Sequence, residues 1–78
     1  MLTAAQVAEN YFLESRHMLL EIAAHFDRYD AAVAREAGGA GQGGAGRMAR
    51  LREAITMLAD PHHESERTEA MLELFAKD

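Results

Sequence analysis

Glu14, His17 and Glu21 are the residues of this chain best spaced for chemistry. On a helix, steps of i, i+3 and i+4 bring a carboxylate, an imidazole and a second carboxylate onto one strip. Mixed oxygen and imidazole donors suit iron, manganese or zinc. Two copies about a two-fold axis would supply two such sets. Glu53 is the one acid in the middle of the second predicted helix and could add to them. The other candidates are weaker. His25 lies near the edge of an apolar stripe, beside Met18 and Tyr29, and reads as a hydrogen-bonded core-edge histidine. His62 and His63 are adjacent, so they share no helix face. They read as an exposed connector with weak, adventitious affinity for divalent metal. Gly39, Gly41 and Gly44 match a GxGxxG spacing, but no strand precedes them and the Lys-Ser/Thr of a phosphate loop is missing. Ser15 falls on a packing seam and Ser65 reads as a helix cap. There is no cysteine, so thiolate chemistry is excluded. No nucleophile–base–acid set emerges, and the chain reads as non-enzymatic.

The Glu14-x-x-His17 motif resembles the ligand pattern of ferritin-like di-iron bundles. That resemblance implies a dimeric metal-binding protein with Glu14, His17 and Glu21 as ligands. In that family the ligands point into the bundle core, whereas here they lie opposite the main apolar seam. The preferred reading is a solvated ladder of side-chain pairs, Glu14–His17, His17–Glu21 and Glu21–His25, with Arg28 beyond. Each rung gives a helix ~0.2–0.5 kcal/mol. On that reading no cofactor is expected.

The strip must be held by a long first helix, predicted over Thr3 to Ala37. Thr3 and Gln6 fit a capping box. No Gly or Pro falls between Ala4 and Ala37, so nothing local stops the helix. Ala8, Phe12, Ser15, Leu19, Ile22, Phe26, Tyr29 and Val33 step alternately by four and three, an unbroken heptad seam. Tyr11 and Met18 widen it toward bundle packing. Leu13, Leu20 and Ala24 form a second, smaller apolar strip, so the polar strip lies between two apolar ones. Phe12, Leu19, Ile22, Phe26 and Tyr29 are the expected interface residues.

Residues 38–46 hold all six glycines and are expected to be a flexible linker. A second helix is predicted over 47–59, with Met48, Leu51, Ile55 and Leu58 as its stripe. Pro61 ends or bends it. A third, short helix is predicted over Glu66 to Ala76, with Ser65 as cap, Met71, Leu74 and Phe75 as its apolar edge, and Lys77 at its end. The expected architecture is all-α: a single small helical domain, 1–78, folded as a hairpin of one long and one broken arm. One broken arm cannot cover the long helix, so a four-helix-type homodimer is expected. A larger protein partner docking on the uncovered face is the other way to cover it. Eight basic against thirteen acidic residues give a net charge of −5. That disfavours nucleic acid and anionic membrane surfaces as partners. No apolar run reaches ~18 residues, so no membrane span is expected. No signal peptide is evident, and a cytoplasmic location is the expectation.

Overall fold

The computed structural model describes residues 1–36, 44–61 and 66–76. It is all-helical: α1 is Ala4–Arg35, α2 is Ala45–Ala59 and α3 is Arg67–Phe75, with no strand among the described residues. The chain divides into two compact units, Met1–Gly41 and Gln42–Asp78. None of the described helices is long and apolar enough to cross a membrane.

The first unit is built on α1. Its start is fixed as the sequence predicts. The Gln6 N–H donates to Thr3 Oγ1 at 3.1 Å, and the Thr3 N–H donates to Gln6 Oε1 at 2.9 Å. These reciprocal bonds satisfy two N–H groups that a bare helix end would leave open. At its other end the Glu36 N–H donates to Ala32 O at 3.0 Å and Val33 O at 3.2 Å. The helix runs 32 residues, or ~48 Å at 1.5 Å per residue. No residue along it is buried.

The second unit is the pair α2 and α3. α2 begins at Ala45, two residues before the expected start, so Ala45 and Gly46 belong to the helix and not to the linker. Gly44 is the N-cap, with φ 81° and ψ 0°, a left-handed conformation that suits glycine. Ala45, the strongest helix former, follows it at once. At the far end Asp60 is extended, with φ −76° and ψ 114°, as the proline after it requires. The last carbonyls of α2 are met by the first residue of α3. Arg67 Nε donates to Met57 O at 3.3 Å, and its Nη2 donates to Asp60 O.

Ala54 of α2 and Leu74 of α3, each 5% exposed, are the buried residues of this unit among those described. The α3 face that turns inward is Arg67, Ala70, Met71 and Leu74, at helical spacing. Two expectations shift here. Leu58, from the predicted α2 stripe, is 47% exposed, and Ala54, which is not in that stripe, is buried. Phe75 stays at the rim, 36% exposed. The N-cap of α3 is Glu66, which makes no side-chain cap bond. The expected cap Ser65 lies outside the described residues, as do Ala37, His62, His63, Lys77 and positions 38–43 of the linker.

Candidate functional site

α1 presents the residues that could act. The heptad seam behaves as two halves. From Ile22 on, its members Ile22, Phe26, Tyr29 and Val33 are partly covered, with Ala24 and Ala32 beside them. Before Ile22 everything is exposed. Phe12 is 63% and Leu19 55% exposed, and Val7, Tyr11, Leu13, Met18 and Leu20 stand in the same state. Of the five expected interface residues, then, two face solvent and three are half-buried.

At ~100° per residue, the apolar side chains of this first half sweep from Met18 through Tyr11, Ile22, Leu19 and Phe12 to Leu20 and Leu13. The arc is roughly 220° wide, against the ~100° that one packed face needs. Arg16 interrupts it. Phe12, Ser15, Arg16, Leu19 and Leu20 enclose a shallow hollow of ≈ 420 Å³ on the helix surface. Its floor is low because Ser15 is small between the large Phe12 and Leu19.

The polar strip is fully exposed: Glu14, His17 and Glu21 all face solvent. One rung of the ladder forms, with His17 Nε2 at 3.2 Å from Glu21 Oε1. Both side chains are well solvated, at 71% and 61% exposure. Among the described residues, no group of three or more His, Asp or Glu side chains converges as a metal site. Glu53 is exposed on α2, where it borders a small hollow with Met57, Ala70, Glu73 and Leu74. His25 is exposed rather than at a covered core edge. A second apolar hollow, of ≈ 250 Å³, lies in the α2–α3 unit between Leu58, Arg67, Thr68, Met71, Leu72 and Phe75.

Two features were not anticipated from sequence. Arg67 as the closing residue of α2 had a readable signal, a cation placed just past a proline-terminated helix. The hollow around Ser15 had one too, since a small residue between two large ones in a seam leaves a hole. Compared with models of protein families, with curated proteins and with solved structures, the chain matches none.

Proposed function

We propose that this protein is a non-enzymatic helical module that works by self-association through α1. In this proposal α1 is one arm of a hairpin, α2 and α3 are the other, and two chains pair into a four-helix-type homodimer. The observation that carries it is the apolar first half of α1, with seven large side chains 41–73% exposed. At roughly 100 Å² of exposed surface each, they amount to roughly 700 Å² per chain. Stable interfaces take ~800 Å² from each partner. A lone chain leaving this much apolar surface in water forgoes most of its hydrophobic stabilisation. Light scattering at micromolar concentration is expected to give twice the 8.6 kDa chain mass. Leu19→Asp, which puts a charge into the apolar arc, is expected to return it to the chain mass. A stable, folded monomer of the unaltered protein would sink the proposal. If that monomer instead binds a larger protein through the same face, the module serves hetero-association.

A second reading keeps one supporting observation. Glu14, His17 and Glu21 share a strip, and the last two already approach to 3.2 Å. Two such strips brought together in a dimer would hold iron, manganese or zinc through mixed carboxylate and imidazole donors.

A further inference from the structure

The hollow on α1 has the outline of a coiled-coil acceptor. A knob from a facing helix seats among four residues of its partner. Phe12, Ser15, Arg16 and Leu19 stand at i, i+3, i+4 and i+7, which is that quartet, and they line the hollow. Phe12 is itself an exposed, large knob, 63% accessible. We infer that the first half of α1 pairs antiparallel with the same half of a second copy, Phe12 of each chain filling the Ser15 hollow of the other. This rests on the self-association proposed above and adds its direction and register.

Steric and charge complementarity both select this pairing. With Phe12 opposite Ser15 of the second copy, Leu19 comes opposite its Ala8 and Ile22 opposite its Ala5. Every layer then joins a large residue to a small one, which fills space without voids or clashes. A parallel, in-register pair would set Ala5 on Ala5, Ala8 on Ala8 and Ser15 on Ser15, leaving gaps at three layers. On one flank of the antiparallel pair, Glu9 meets Arg16 of the second copy, twice by symmetry. On the other flank, Tyr11 meets Met18, a favourable thioether–aromatic contact. Other antiparallel registers lose the charge match. Sliding by one heptad one way sets Arg16 against its own copy. Sliding the other way sets Glu9 against its own copy. Overlapping the two helices over their whole length brings Glu9 against Asp30. The chosen overlap also uses the half of the seam that is exposed, ending at Ile22, where partial cover begins. Opposed helix dipoles favour antiparallel pairing as well.

The chain has no cysteine, so single introduced cysteines can carry spin labels without background. Asn10→Cys and Arg28→Cys both lie on the polar strip, away from the contact. In the inferred dimer the two Asn10 positions are about 10 Å apart along the helix axis and the two Arg28 positions about 45 Å. Pulsed electron paramagnetic resonance is expected to give one short and one long distance. Equal short distances would show a parallel pair, and intermediate axial separations of about 31 Å for Asn10 and about 22 Å for Arg28 would show full-length overlap. Either result overturns the register while leaving a dimer. A monomeric mass for both labelled proteins would instead overturn self-association itself, and with it this inference. Charge reversal gives an independent reading. Glu9→Arg is expected to weaken dimerisation about tenfold, and adding Arg16→Glu to restore it. Glu9 and Arg16 are seven apart in one helix, too far for rescue within a chain. No rescue in the double variant would overturn the pairing of these two residues.

Discussion

Arg67 and His17 show what single residues do in this chain. The Arg67 guanidinium donates to Met57 O and Asp60 O, carbonyls that the end of α2 would otherwise leave to water. Removing it in Arg67→Ala is expected to cost about 1–2 kcal/mol in urea unfolding, the size of a partly exposed, charge-assisted hydrogen-bond pair. Arg67→Lys should recover only part, because an ammonium cannot reproduce the two-pronged geometry. His17 acts on a smaller scale. Its contact with Glu21 is solvated on both sides, and such a helix pair gives ~0.3–0.5 kcal/mol. The triple change Glu14→Gln, His17→Ala, Glu21→Gln is therefore expected to cost under ~1 kcal/mol. Added Zn²⁺, Mn²⁺ or Fe²⁺ should leave the melting temperature of the unaltered protein in place. Metal bound by the native state at a hundredfold excess over Kd would instead add ~2.7 kcal/mol. A metal-dependent rise in melting temperature that vanishes in His17→Ala alone would show ligation. The spacing of Glu14, His17 and Glu21 was legible in the sequence. Their solvation in one chain was legible too, since they sit opposite the seam. Arg67 was missed because reading a third helix for its apolar edge passes over its first polar residue.

At the scale of elements, the ends of α2 separate two glycines that look alike in the sequence. Gly44 caps the helix with φ 81°, where a Cβ is strained whatever the space around it. Gly46 is two residues on, inside the helix, and a Cβ there meets nothing within 4 Å. Gly44→Ala is expected to destabilise the α2–α3 unit by about 1 kcal/mol, and Gly46→Ala to stabilise it by about 0.5–1 kcal/mol. Thermal melts of the two variants should move in opposite directions. The same contrast explains what sequence reading resolved. α1 was legible at its start because Thr3 and Gln6 form a local motif that needs no tertiary partner. The start of α2 was placed two residues late because a glycine-rich tract gives no local sign of which glycine turns left-handed. Of the apparent α2 stripe, Met48, Leu51 and Ile55 are partly covered and only Leu58 turns out to solvent. Counting large apolar side chains favours Leu58, whereas close approach of α3 favours the small Ala54 and leaves Leu58 47% exposed.

At the scale of the whole molecule, little within either unit is deeply buried. Ala54 and Leu74 are the buried core residues among those described, and α1 has none. Small chains of this kind are marginal alone, and a metal, a disulfide or a partner is the usual reinforcement. With no cysteine to bridge, the self-association proposed above is the reinforcement that the exposed half of α1 would supply. The length of the heptad seam was legible in the sequence. Which half of the seam stays open was not, because a repeating pattern carries no mark of where cover begins. Association of this kind ties stability to concentration. When only the assembled state is well folded, each increase in protein concentration favours the native form by mass action. The melting temperature of the unaltered protein is therefore expected to rise steadily as concentration goes from micromolar to hundreds of micromolar. Leu19→Asp should melt lower and show no such rise, because it removes the contact through which concentration acts. Leu72→Asp is the matched control: Leu72 is 67% exposed on α3, in the other unit. It should keep the concentration dependence of the unaltered protein. If Leu72→Asp abolishes that dependence and Leu19→Asp leaves it, the chains meet through the α2–α3 unit, and α1 is not the surface of self-association.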